Sequence, residues 1–167
     1  QIGGGIRTLE TIESYCDAGA SYIIIGTKAI NDIGFVLEAC RSFPGKISVA
    51  LDARDGRLAT EGWSKVSDLL AVEYVEKLAE VGVSEIIYTD IARDGMMEGV
   101  NVEATLSMAR ASNIPIVASG GIRDIEDIEH LLKVSAQGII GAITGRAIYE
   151  NTLDFQQAQS LCDEWVD

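Results

Sequence analysis

Asp52 ends the apolar run Ile47-Ser48-Val49-Ala50-Leu51, and Thr89, Asp90 and Asp94 close or follow a second run of the same kind. A carboxylate directly after a buried strand has no turn requirement to explain it, so Asp52 is the first candidate for chemistry. In a closed pocket, desolvation can raise one carboxyl pKa until it donates a proton near neutral pH while a second carboxylate accepts one. Paired acids of this kind suit proton shuttling on a sugar. Structural roles compete at the other positions: Asp94-Gly95 is a common turn signal, and Asp90 could simply cap a loop.

Gly4-Gly5 and Gly120-Gly121 each lie between a strand-like and a helix-like segment, where backbone can approach a phosphate closely and helix N–H groups point outward. Gly26-Thr27 and Gly145-Arg146 follow the next strands. Each pair of adjacent loops could close on one phosphate, so two pairs imply two phosphates. Arg7, Lys28, Arg123 and Arg146 stand beside these loops and could supply positive charge. Tight turns alone would account for one isolated Gly-Gly; the duplication favours phosphate. Residues 54–63 form an excursion with an Asp55-Gly56 turn, consistent with a small hairpin lid. Trp63 at its end could stack on a heterocycle and exclude water, or pack on the rim.

The elements that must position these residues alternate. Strand-like runs occupy residues 1–2, 22–25, 47–51, 85–89, 115–119 and 138–143, six in all. Between them, patterns such as Ile33-Val36-Leu37-Cys40 and Leu69-Val72-Val75-Leu78 repeat at helical spacing. Thr8, Asp32, Ser67, Asn101, Asp124 and Asp154 stand where a side-chain oxygen would cap a helix, and Gly19 and Gly82 where helices should stop. Apolar strands with helical crossovers imply a parallel sheet covered by helices. Gly3-Gly4-Gly5-Ile6-Arg7 recurs as Ser119-Gly120-Gly121-Ile122-Arg123, and Ile25-Gly26-Thr27-Lys28-Ala29-Ile30 as Ile143-Thr144-Gly145-Arg146-Ala147-Ile148. A module of four strand-helix units, doubled, makes an α/β fold of the (β/α) barrel (TIM barrel) type. The expectation is a single domain over residues 1–167 with six of the eight units, the first two being absent, and with edges that favour self-association.

Composition narrows the partners. With 26 acidic against 13 basic residues the net charge of −13 disfavours nucleic acid and anionic membrane, while a small anion could still meet locally gathered cations. No apolar run approaches the roughly 20 residues of a membrane span, and a cytoplasmic location is expected. Cys16, Cys40 and Cys162 are odd in number and widely spaced, which argues against disulfides and zinc. His130 sits within a helical pattern away from every strand end. No nucleotide fingerprint follows a strand, so no cofactor is expected.

Across essentially the whole chain these segments resemble the phosphoribosylformimino-aminoimidazole carboxamide ribotide isomerases of histidine biosynthesis. The resemblance rests on Gly3-Gly4-Gly5-Ile6-Arg7, Ile25-Gly26-Thr27, Val49-Ala50-Leu51-Asp52, Glu61-Gly62-Trp63, Thr89-Asp90-Ile91-Ala92-Arg93-Asp94-Gly95, Ser119-Gly120-Gly121-Ile122 and Thr144-Gly145-Arg146-Ala147, in matching order. It implies an Amadori rearrangement of a small bisphosphate ribosyl substrate, in which an aminoaldose opens, forms a Schiff base and becomes an aminoketose without metal or organic cofactor. It also implies a monomer at full length. In that family the base is an Asp on the first strand, without a counterpart here. The acid is the residue matching Asp52 or the one matching Asp94, and Thr89 matches a supporting hydroxyl. The sister cyclase barrel shares the halves, loops and Asp pair, but usually carries Asn-Thr where this chain has Gly26-Thr27. A phosphate-binding fragment without activity, and added action on the analogous tryptophan-pathway intermediate, are the remaining readings.

Overall fold

Eight strands form one sheet in the computed structural model, which describes residues 1–165; Val166 and Asp167 of the expected domain lie outside the described residues. The strands are β1 (Ile2–Gly3), β2 (Ile23–Ile25), β3 (Ile47–Arg54), β4 (Arg57–Thr60), β5 (Lys65–Leu70), β6 (Glu85–Asp90), β7 (Ile116–Ser119) and β8 (Ile139–Ile143). Six of them, β1-β2-β3-β6-β7-β8, are parallel neighbours in chain order, with β1 and β8 at the two ends. The crossovers are α1 (Leu9–Asp17), α2 (Thr27–Asn31), α3 (Ile33–Ser42), α4 (Ala71–Leu78), α5 (Val102–Ala111) and α6 (Ile125–Leu132). After β8 come α7 (Arg146–Tyr149) and α8 (Phe155–Glu164). Parallel strands joined by helices in simple succession form six consecutive strand-helix units of a (β/α) barrel.

Side-chain alternation sorts each strand into two faces. Val49, Leu51 and Ala53 of β3, Ile86 and Tyr88 of β6, and Ile116 and Ala118 of β7 join one apolar cluster with Val36, Val75, Leu78 and Leu106 of the helices. Each Val, Leu or Ile among them contributes about 1.5–3 kcal/mol on full burial. The other parity, Ser48, Ala50 and Asp52 with Glu85, Ile87 and Thr89, faces inward. There Glu85 accepts hydrogen bonds from Ser48 Oγ (3.0 Å) and from Gln1 Nε2 (2.7 Å). Gln1 leads into β1, three strand positions from β6, a separation of roughly 14 Å in a flat sheet. A direct bond across that interval requires the sheet to curl.

Helix starts follow local chemistry. Thr8, Asp32, Asn101, Asp124 and Asp154 each accept a hydrogen bond from a backbone N–H of the helix that follows, as expected. Ser67 does not: its hydroxyl donates to Leu58 O (3.0 Å) and accepts from Leu69 N (3.3 Å), inside β5. The helix begins at Ala71 instead. The buried strand β4 pairs antiparallel with β3 on one side and takes β5 as partner on the other, which satisfies its backbone groups. The six strands read from the sequence therefore become eight, the extra two forming the excursion off β3.

Candidate active site

At the C-terminal end of the sheet Asp52 pairs in register with Thr89, Thr89 with Ser119, and Ser119 with Ile143. Asp52 and Thr89 therefore share the inward face of one rim. Asp90, one residue on, has the opposite parity and turns toward the helices. It is buried, and its Oδ2 accepts from Asn101 Nδ2 at the start of α5 (2.6 Å). The Tyr88 phenol shares that outer side, and burial, with the Asp90 charge adding to it, pushes its pKa up to about 12. Of the two adjacent acids Asp90 is thus the loop-capping one.

A cavity of about 700 Å³ opens inside this rim, lined by Gly4, Gly5, Arg7, Gly26, Thr27 and Asp52, with Lys28 at its edge. The excursion β3-β4-β5 leans over it. Its first turn, Asp55-Gly56, has φ values of 53° and 75°, the doubly left-handed geometry expected of Asp-Gly in a hairpin. Its second turn runs left-handed through Glu61, Gly62 and Trp63 (φ 56°, 64°, 70°), a conformation costly for the two non-glycine residues. Two contacts hold that turn: Glu61 N donates to Thr27 Oγ1 (3.2 Å) and Trp63 Nε1 to Asp52 Oδ2 (2.8 Å). The hairpin expected from the sequence exists, extended by a further strand to Leu70. In this structure its Trp63 lies against the candidate carboxylate.

Gly120, Gly121, Gly145, Arg146, Asp94 and Gly95 line a separate niche of about 30 Å³. That is close to the volume of one water molecule. Arg146 fills the approach, its Nη1 donating to Gly95 O (2.5 Å) and its Nε to Glu150 (3.3 Å). The other flanking cations differ in use. Lys28 pairs with Asp32 (2.8 Å) and lies over the Phe35 ring, while Arg123 binds Asp124 (2.5 Å) and lines neither cavity. That bond raises the Arg123 pKa and, as its largest cause, lowers that of Asp124. A third cavity of about 430 Å³ lies between α6, β8 and α8, lined mainly by apolar side chains and by none of the predicted site residues.

Asp52 and Asp94 thus border different cavities, each with one of the two glycine pairs. Sequence reasoning did not single out Glu61 as a contact of Thr27, Arg93 as a loop clamp, or Asn101 as more than a cap. The one available signal was the short spacing of Asp90, Arg93 and Asn101 around a Gly-rich loop. His130 is exposed on α6, and among the described residues no group of three His, Cys, Asp or Glu is placed to hold a metal ion. No helix among them is long and apolar enough to cross a membrane.

Parallel strands in chain order, helical crossovers and polar residues gathered at the strands' C-terminal ends define a (β/α)-barrel protein. Residues 1–154 match the family of histidine biosynthesis proteins, and the chain belongs to that family. Among its relatives, proteins of Stutzerimonas stutzeri (63% identical over 98% of this chain and 66% of the relative) and Azotobacter vinelandii (61%, 98% and 66%) are alike. A Pseudomonas aeruginosa protein is 59% identical over 99% of this chain and 67% of the relative. All three are named imidazole-4-carboxamide isomerases, on a compound bearing two 5-phosphoribosyl groups. The chain spans about two thirds of the length of these relatives.

Proposed function

We propose that these residues belong to an isomerase that converts a phosphoribosyl aminoaldose to its aminoketose in histidine biosynthesis, working in the cytoplasm as a monomer. The observation that carries this reading is the inward pair Asp52 and Thr89 on a rim flanked by two copies of a glycine-rich loop pair, one for each phosphoribosyl end. Gly4, Gly5, Arg7, Gly26 and Thr27 would hold one phosphate; Gly120, Gly121, Gly145 and Arg146 would hold the other. The sugar between them then lies across the acids. The names of the relatives favour this reading over the cyclase.

The chemistry asks for one proton to be given and one taken. An acid protonates the ring oxygen as the C1–O bond breaks, which leaves an iminium at C1. A base then removes the C2 proton, and the electrons move to give an enamine that tautomerises to the ketone. Asp52 and Asp94 are the candidates on this chain for the proton-giving step, with Thr89 steadying an oxygen beside Asp52, and the base is the first-strand Asp that the resemblance implies. Trp63 must leave Asp52 to make room, and can then cover the heterocycle. This scheme calls for no metal or organic cofactor; the net charge of −13 disfavours nucleic acid and anionic membrane, and a small anion is met instead by cations gathered beside the loops, Arg7 and Arg146.

The test is turnover of the bisphosphate aminoaldose by a protein of the relatives' full length carrying these residues. Replacing either acid, Asp52→Asn or Asp94→Asn, should lower kcat by at least about a hundredfold, since positioned acid-base groups contribute on that order. Wild-type rates in both variants would overturn the assignment.

A further inference from the structure

Asp94 is exposed, so whatever fixes its place must act through its turn. That turn is built from Asp90. The backbone carbonyl of Asp90 accepts from Arg93 N (3.1 Å) and Asp94 N (3.0 Å), while its side-chain Oδ1 accepts from Ala92 N (3.0 Å). One residue thus closes the turn that ends on Asp94, its backbone carbonyl taking the N–H groups of Arg93 and Asp94 and its carboxylate that of Ala92. The remaining oxygen, Oδ2, faces Asn101 Nδ2 at 2.6 Å, with Arg93 Nε 4.0 Å away. Arg93 then reaches across the loop, its Nη1 donating to Gly99 O (3.0 Å).

Asn101 divides its side chain between two tasks. Its Oδ1 accepts from Ala104 N (3.1 Å) and caps α5, and its amide donates to Asp90. The first is a helix-start function that Ser performs equally well; the second needs the length and the N–H of an amide. A Ser at this position cannot both cap and bridge.

We propose that Asn101 is a positioning residue for Asp94: its amide fixes Asp90, Asp90 fixes the turn, and the turn holds Asp94 where a proton is transferred. The inference rests on the proposed isomerase reading. It predicts a split in kinetic parameters, because Asp94 acts in the chemical step while the glycine loops bind the phosphates whether or not Asp94 is aligned.

The experiment compares Asn101→Ser, Asp90→Asn and their double variant with wild type and Asp94→Asn, all in a protein of the relatives' full length. Asn101→Ser should lose kcat by on the order of 10- to 100-fold, the effect expected of a misplacement near 1 Å, with KM changed less than about threefold. Its midpoint of thermal unfolding should fall by no more than a few degrees, the worth of the one lost bond to Asp90, since the cap is kept. The double variant should be no slower than the slower single one, as members of one hydrogen-bonded chain are not additive. An Asn101→Ser enzyme with wild-type kcat, or one whose losses in kcat and thermal midpoint run in parallel with KM rising, would overturn the proposal. No turnover by wild type, or full turnover by Asp94→Asn, would sink the isomerase reading and this inference with it. Loss in Asp94→Asn beside an unaffected Asn101→Ser would sink this inference alone.

Discussion

At Gly4 and Gly5 the chain bends through φ values of 105° and 66°, and at Gly120 and Gly121 through 91° and 87°, so the two copies of the repeat keep one backbone path. The short helices α2 and α7 also fall at equivalent places, with Ala29 and Ala147 both fully buried. Surroundings separate the copies. A Cβ added at Gly4 or Gly5 would meet no atom within 4 Å, whereas one at Gly120 would come within 2.6 Å of Asp90 O and one at Gly121 within 2.6 Å of Gly99 O. Gly99 N in turn donates to Gly121 O (3.0 Å). Packing within the protein therefore accounts for the second glycine pair. At the first pair, which lies open on the larger cavity, no packing atom is near and the left-handed φ values alone call for glycine.

The largest expected break in this symmetry is in stability. Gly120→Ala forces the loop after β7 off the loop after β6, a backbone-to-backbone clash that cannot be relieved by a rotamer change. It should cost about 3 kcal/mol or more, the sum of overpacking and left-handed strain. Gly4→Ala incurs the strain alone, roughly 1–3 kcal/mol. Urea unfolding of the two variants measures the difference. Equal losses would mean that the second loop pair yields as easily as the first, and that packing does not distinguish them.

Ligand binding should rank the copies the other way. Inorganic phosphate added to the wild-type protein should enter the cradle of Gly4, Gly5, Arg7, Gly26 and Thr27 first, because Arg146 must leave Gly95 O before the second niche admits an anion. Trp63, which lies in the lid over the first cradle, reports it through its fluorescence; Trp165→Phe removes the other indole. Thr27→Val deletes both a cradle hydroxyl and the acceptor of Glu61 N, and should weaken phosphate about three- to tenfold, the worth of one hydrogen bond. An affinity left unchanged by Thr27→Val but lowered by Arg146→Met would reverse the assignment of the open site.

How much of this was legible depended on the range over which each feature is decided. The six parallel strands are runs of β-branched residues between turn residues, and five of the six expected caps are bonds between residues two or three apart; both are local. Ser67 was misread because the choice between helix and strand at residues 65–70 is made by β4, which needs a partner, and Leu69 and Leu70 imitate the first turn of a helix. The repeat revealed both glycine pairs but could not tell them apart, since their difference lies wholly in the loop that packs against one of them. Asp52 was legible from the strand it ends. That Asp90 turns away follows from parity once the strand's last residue is known, whereas the Trp63–Asp52 bond depends on the closure of the hairpin and left no trace in composition.

The smallest effect concerns the phenols on the two sides of the comparison. Tyr88 on β6 belongs to the packed half, where burial and the Asp90 carboxylate lift its pKa to about 12; Tyr74 on α4 donates to Ala29 O beside the open half, and burial, with Asp32 adding to it, raises its pKa as well. A raised folded pKa means that each tyrosine stabilises the fold fully below its unfolded value near 10 and loses that contribution as pH rises through the folded value. At neutral pH neither effect is visible. Between about pH 10 and pH 12, wild type should lose stability relative to Tyr88→Phe, and the absorbance difference between them should titrate near the upper end of that window. A difference titrating at the ordinary tyrosine value would show that Tyr88 is not buried between the outer face of β6 and the helices, the side on which Asp90 also stands.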